Sequence, residues 1–372
     1  VYFYSMVESC HAVVALKKLK APEQNLEMSA EDLMVKSAEM LDYLSLASVN
    51  DPVFLQYKKD VDAGRVKGVA PGDYHDLTAI LTETKAMTQK ELDDNVNTIT
   101  DRLKAFDLYQ PFSFTDDPKV YGKYWTMRAG IFPTVGGMRP TGTSCLIEDV
   151  AFPVEDLPEA TVKMQQIIHD HGYDEGCIYG HAFEGNYHFI LNQSFKEPKE
   201  VNRYADMMRN IIKLVKSYDG SLKAEHGTGR NMAPFVREEW GDEAFDAMRR
   251  LKEIFDPEGL LNPGVIFNEN PNCFIRNLKH LPELDYDFSQ LPDGNEYAER
   301  RSTTQETIDG VRRANKCIEC GFCERNCLTC GLTLSSRTRI ATQREILYLK
   351  HSDKAEDHAR ARRLEQLYHY YG

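Results

Sequence analysis

Apolar residues recur at helical spacing in several separate stretches of this chain. Ala12, Val13, Leu16 and Leu19 predict a helix over residues 8–19, behind a short strand over 1–6. Ser29-Ala30-Glu31-Asp32 has the form of a capping box and predicts a helix running through Ala47. Ile80 and Leu81 among threonines predict a strand over 77–83. Leu92, Val96, Ile99 and Leu103 then mark a long amphipathic helix over 88–106. Further on, the pattern predicts a helix over 121–128, a strand over 144–153 and a helix over 157–171. Strands over 177–182 and 187–191 follow, with the turn residues Glu184-Gly185-Asn186 between them. A helix over 200–218, a strand running into Glu225 and a helix over 242–255 complete the run. This order predicts an α+β layer, an antiparallel sheet covered by helices.

Residues 268–295 carry Asn-Pro, Leu-Pro and Pro-Asp-Gly without sustained periodicity, so they read as a linker. From 296 to 372 the chain is charged and helical, interrupted by cysteines. The predicted division is therefore 1–267, linker 268–295 and a small helical domain over 296–372. The first residues, Val1-Tyr2-Phe3-Tyr4, lack Met and begin as if inside a strand, which predicts a piece of a longer protein.

At 372 residues, with 42% hydrophobic and 28% charged positions, the composition is that of a globular protein with room for two domains. The net charge of −13 argues against a nucleic-acid partner. No apolar run reaches the roughly 20 residues that span a bilayer. Four of the nine cysteines (Cys10, Cys145, Cys177, Cys273) are scattered singles, which read as reduced thiols. That suits a cytoplasmic protein, either free or peripheral at the inner face of the membrane.

Two segments concentrate metal-binding chemistry. One is Gly180-His181-Ala182-Phe183-Glu184-Gly185-Asn186-Tyr187-His188, and the other is Ala224-Glu225-His226-Gly227-Thr228-Gly229-Arg230. Imidazole and carboxylate form a usual ligand set for zinc or manganese. In a hairpin, His181 and His188 fall near the same end of adjacent strands about 4.8 Å apart. If His181, His188 and Glu225 hold the ion, His226 is left as a candidate base. The bland alternative is a set of ordinary polar histidines flanking a turn.

The pair Gly-His-Ala-x-x-Gly-Asn-x-His and Glu-His-Gly-x-Gly resembles the C-terminal domain of FAD-linked oxidases of the vanillyl-alcohol-oxidase type. D-lactate and D-2-hydroxyglutarate dehydrogenases belong to that group. Residues Phe255-Asp256-Pro257-Glu258-Gly259-Leu260-Leu261-Asn262-Pro263-Gly264 resemble its closing motif. The resemblance implies a ferredoxin-like cap domain, with FAD as cofactor and a small 2-hydroxyacid as substrate. It implies His226 as general base, a task that suits an imidazole near neutral pH. The alternative for His226 is a ring that merely braces the turn before Gly227. Trp125-Thr126-Met127-Arg128 resembles the segment that supplies an arginine for the substrate carboxylate, with Arg139 as second choice. Asn186 is expected to hydrogen-bond a ligand or substrate, and Asn262 to touch the flavin. Residues 130–144 resemble bacterial D-lactate dehydrogenases fused to iron–sulfur domains and read as an active-site rim loop. The acidic strand Ile147-Glu148-Asp149-Val150-Ala151-Phe152-Pro153 stands where the D-2-hydroxyglutarate enzymes place a lysine. That departure favours D-lactate, oxidised to pyruvate. The flavin-binding domain is not found in this sequence; in the family it precedes the position of Val1.

Cys317, Cys320, Cys323 and Cys327 have the spacing C-x2-C-x2-C-x3-C, the signature of a [4Fe–4S] cluster. Leu328 replaces the proline that often follows, and an extra Cys330 leaves the fourth ligand open between Cys327 and Cys330. A structural zinc site is the alternative for this run. Electrons would pass from substrate through flavin and cluster to a quinone or another redox protein. Two further alternatives are a D-2-hydroxyglutarate dehydrogenase and a non-catalytic electron-transfer subunit.

Overall fold

The computed structural model describes residues 1–19, 34–75, 77–279, 281–284 and 304–371. The described residues divide into two compact units. The first comprises Val1–Ile131, Leu146–Leu191 and Lys196–Asn277; the second comprises Phe132–Cys145, Asn192–Phe195 and Leu278–Gly372.

The first unit is built on a six-stranded sheet in the order β1-β3-β2-β5-β6-β4. The strands are β1 (Tyr2–Phe3), β2 (Val35–Leu41), β3 (Thr78–Thr84), β4 (Ser144–Ala151), β5 (Cys177–Gly180) and β6 (Asn186–Gln193). The helices are α1 (Met6–Lys17), α2 (Tyr43–Ser48), α3 (Pro52–Asp62), α4 (Gln89–Leu103), α5 (Pro118–Met138), α6 (Leu157–Asp170), α7 (Pro198–Ser217) and α8 (Val236–Phe255). The α+β class expected from the sequence is the class observed.

Period-two alternation along β6 fixes which residues face the helices. The Tyr187 hydroxyl lies 2.9 Å from Thr161 on α6 and 3.2 Å from Cys10 on α1. Tyr187 and Phe189 are fully buried there with Leu16, Val13 and Met164. His188, between them, therefore points to the opposite face. Register carries the same rule across the sheet. Tyr179 pairs with His188, and Met40 pairs with Gly180. One step further along that ladder brings Glu39 of β2 beside His181.

Two glycines shape the hairpin that carries the histidines. A Cβ at Gly180 would lie 2.6 Å from the Asn186 carbonyl oxygen. Gly185 has a left-handed φ of +72°, and a Cβ there would fall 1.9 Å from the Phe152 carbonyl oxygen. Only glycine fits either place.

Several expectations need correction. The helix expected through Ala47 is instead β2 followed by the short α2. Val35, Ala38, Met40 and Leu41 are all buried in a strand with neighbours on both sides, so no alternation shows in the sequence. The Ser29–Asp32 capping box lies outside the described residues, as do residues 280 and 285–295 of the expected linker. Residues 130–138, read as a rim loop, continue α5 despite Gly130 and the internal Pro133. The strand expected to run into Glu225 is reduced to a bridge between Ala151 and Ser221.

In the second unit, α9 (Thr304–Asn315), α10 (Ser336–Lys350) and α11 (Ala355–Tyr371) flank the cysteine run. Among the described residues, no helix is long and apolar enough to cross a membrane.

Candidate metal centre

The end of β5, the start of β6 and the segment after Leu222 bring three ligand atoms together. The ligating atoms of His181, His188 and Glu225 all lie within 4.8 Å of one another. Glu225 Oε1 is 2.9 Å from His188 Nε2 and 3.1 Å from His181 Nε2. His188 is buried, while the side chains of His181 and Glu225 are 37% and 46% exposed. The group thus opens on one side, as a site that must admit a substrate requires.

Both imidazoles have a carboxylate behind them. Glu39 Oε1 lies 2.5 Å from His181 Nδ1. Asp149 Oδ1 lies 3.6 Å from His188 Nδ1, a buried nitrogen that has no hydrogen-bond partner. At His181 the carboxylate hydrogen-bonded to the outer nitrogen orients the ring and presents Nε2 as the ligand. The donor set therefore fits a divalent ion such as zinc or manganese.

Charge distribution agrees with the geometry. Burial lowers the His188 pKa to about 4, so its ring is neutral near pH 7. The hydrogen bond to Glu39 raises the His181 pKa above 6.5. A proton on His181 competes with an ion at the same ring, and binding must expel it. Zinc affinity is therefore expected to fall as pH drops from 8 to 6, on the order of tenfold. Competition titration against a zinc indicator at the two pH values measures this; a flat response would contradict it.

Asp149 ties the two segments together. Its Oδ2 accepts the backbone N–H of Glu225 at 2.7 Å and of His226 at 2.9 Å. Its Oδ1 accepts from Asn186 Nδ2 at 2.5 Å. Burial works against its charge, yet these donors outweigh it and hold the carboxyl below its usual range. Asn186 also donates to the Val150 carbonyl at 3.0 Å. Asn186 thus braces Asp149 through Nδ2, while its buried Oδ1 has no hydrogen-bond partner. An Asp149→Asn chain is expected to bind zinc about 10- to 100-fold more weakly, the usual effect of losing a supporting partner. Isothermal titration with zinc would show it, and unchanged affinity would contradict the role.

His226 stacks on His188 with ring centroids 4.9 Å apart and planes 5° from parallel. Its Nε2 is 3.9 Å from Glu225 Oε1, at the open side of the group. Arg128 Nε donates to Glu39 Oε2 at 2.9 Å, and its guanidinium carbon stands 4.9 Å from the Tyr179 ring centroid. Arg128 is therefore held beside His181 through Glu39. Sequence reasoning missed Glu39 and Asp149; the available signal was a carboxylate inside each apolar strand run.

Asn262 sits exposed on the turn after α8, with a left-handed φ of +45°. The structure does not bring it into the histidine group.

Arg139 is a correction. It is 1% exposed and belongs to the second unit. Its Nε donates to the Thr143 carbonyl, Nη1 to Gly136 and Lys316, and Nη2 to Asn315 and Cys317. With its donors occupied by five carbonyl oxygens, it is a backbone clamp and offers no fork to a substrate. Arg344, 3% exposed, donates to the same Cys317 carbonyl at 2.9 Å. Two buried guanidinium groups thus pin the first cysteine of the run. None of the nine cysteines is in a disulfide. Hydrogen bonds from the Thr329 hydroxyl, and from Ser336, lower the Cys327 pKa to about 6. That favours the thiolate a metal needs at Cys327.

Several known proteins are similar to this chain. The glycolate oxidase subunit GlcD of Escherichia coli K12 is 25% identical over 265 residues, 71% of this chain and 49% of that protein. A probable mitochondrial D-lactate dehydrogenase of Danio rerio is 26% identical over 179 residues, 48% of this chain and 35% of that protein. A D-2-hydroxyglutarate dehydrogenase of Stutzerimonas stutzeri is 27% identical over 146 residues, 38% of this chain and 30% of that protein. The chain thus spans less than half the length of these relatives. Among solved structures, substrate-bound p-cresol methylhydroxylase gives a TM-score of 0.46 at 15% identity, over 72% of this chain and 53% of that one. The family profile described as "FAD linked oxidases, C-terminal domain" matches residues 9–266, which include both histidine segments and the closing motif. The chain belongs to the family of FAD linked oxidases, C-terminal domain.

Proposed function

We propose that this chain is the substrate-facing part of a flavin-dependent D-2-hydroxyacid dehydrogenase acting on monocarboxylic acids of the D-lactate type. The observation that carries this reading is the convergence of His181, His188 and Glu225 on one point within 4.8 Å. Zinc or manganese held by these residues would supply Lewis acidity toward the substrate hydroxyl. Bound FAD would supply the two-electron acceptor for the C2 hydride.

The chain's own residues do the rest. Arg128 binds the substrate carboxylate through its Nη atoms, while its Nε stays on Glu39. His226 takes the hydroxyl proton at Nε2, the atom that faces the group. Asp149 holds the backbone of His226 and Glu225, and so keeps base and ligand in one register. The product is a 2-oxo acid: the C2–H and O–H bonds break and the carbonyl forms.

The domain division is proposed as 1–267 for the cap, 268–295 for the linker and 296–372 for a small iron–sulfur domain. In the last, Cys317, Cys320, Cys323 and Cys327 would hold a [4Fe–4S] cluster that passes electrons to a quinone or redox protein. The proposed compartment is the cytoplasm.

The test is anaerobic flavin reduction in the full-length protein, with D-lactate and D-2-hydroxyglutarate compared. D-lactate is expected to bleach the flavin faster. Faster bleaching by the five-carbon diacid would replace the monocarboxylate reading with a D-2-hydroxyglutarate dehydrogenase.

A further inference from the structure

A cavity of about 290 Å³ lies in the first unit. Six of its lining residues are Tyr2, Leu81, Phe112, Phe114, Tyr121 and Tyr124, and Arg128 also lines it. The cavity lies on the same face of the sheet as the histidine group. Leu41 and Ala79, both lining residues, are directly paired, as are Glu39 and Leu81. Directly opposed residues share a face, so the cavity floor and the Glu39 carboxylate are on one side. Arg128 then joins the two places: it lines the cavity and donates to Glu39, whose other oxygen meets His181.

We infer that this cavity receives the C2 side chain of the 2-hydroxyacid, and that this side chain is bulky and uncharged: an aromatic ring or branched alkyl group. The inference rests on the hydroxyacid reading above. With the carboxylate on Arg128 and the hydroxyl toward the histidine group, the third substituent of C2 is directed into the cavity. Three fixed contacts at one carbon also select one enantiomer.

Size and charge decide the class. A lactate methyl would leave most of the 290 Å³ to water. Aromatic walls gain by excluding that water. A second carboxylate has no cationic side chain of its own in the cavity. The lining side chains include one cation, Arg128, already engaged by Glu39 and by the substrate's own carboxylate. They also include one carboxylate, Asp51, which accepts the Tyr2 hydroxyl at 2.8 Å and would repel a diacid.

The test is calorimetric titration of the chain, carrying one equivalent of zinc, with D-phenyllactate, D-lactate and D-2-hydroxyglutarate. D-phenyllactate is expected to bind about ten- to a hundredfold more tightly than D-lactate, the usual effect of filling an apolar pocket. Leu81→Trp fills the cavity and is expected to erase that advantage, weakening D-phenyllactate far more than D-lactate. Tyr124→Ala, at a half-exposed wall residue, should weaken D-phenyllactate selectively and covers the case in which the tryptophan does not fold. Equal binding of the two monoacids, or an advantage untouched by both variants, overturns the cavity assignment while the hydroxyacid reading stands. Failure of all three acids to bind overturns both.

Discussion

A His188→Ala chain is expected to bind zinc at least about a hundredfold more weakly than the parent, more than the loss of a supporting partner alone would cost. His188 is the buried member of the group and the most constrained. Its Nε2 is 2.9 Å from Glu225 Oε1, and its ring stands against Tyr179 on one side and His226 on the other. The side chain is also neutral near pH 7, because burial holds its pKa at about 4. No proton need leave it for an ion to bind, in contrast to His181, whose pKa is raised. Zinc titration of both chains, with circular dichroism to show equal folding, reads the effect. Affinity within about threefold of the parent would place the ion elsewhere.

The second large effect is expected at His226. In flavin-loaded full-length protein, His226→Ala should lower kcat about a hundredfold or more, the usual worth of a positioned base. The carboxylate contact is made by Arg128, so KM is expected to change much less. Zinc affinity should stay close to that of the parent, because His226 Nε2 is 3.9 Å from Glu225 Oε1 and outside the trio. That split separates a base from a brace. If His226 only supported the turn before Gly227, zinc affinity and folding would fall along with the rate. A rate near that of the parent would remove His226 from the chemistry.

The parts of the site carried by contiguous motifs were legible in the sequence. His181 and His188 flank turn residues, and Glu225-His226 precedes Gly227, so each pair is close in the chain before any folding occurs. The sheet that unites them was legible only as a class. β2 was hidden because burial on both of its faces erases alternation, and Glu39 was hidden with it. Glu39 meets His181 across 142 positions of sequence, a distance no local pattern spans. Asp149 was visible as an acidic residue in a strand but was weighed for its effect on a substrate. Its actual place is behind the ligands, accepting two backbone N–H groups.

Arginines show the same limit. Arg128 and Arg139 stand eleven positions apart and look equivalent as sequence. Tertiary packing gives one a carboxylate and an aromatic face, and gives the other five carbonyl oxygens. Among cysteines, the spacing marks the run, while the contacts of Cys327 Sγ with the Thr329 and Ser336 hydroxyls come from folding. Neither interaction has a spacing signature.

The most direct measurement is the non-iron metal content of the purified protein, by mass spectrometry of the parent and of His181→Ala. One zinc or manganese per parent chain is expected, removed by chelator, restored on addition, and missing from the variant. A parent chain with no such ion after incubation with both metals, or a variant that retains it, would contradict the metal centre on which the proposed chemistry rests.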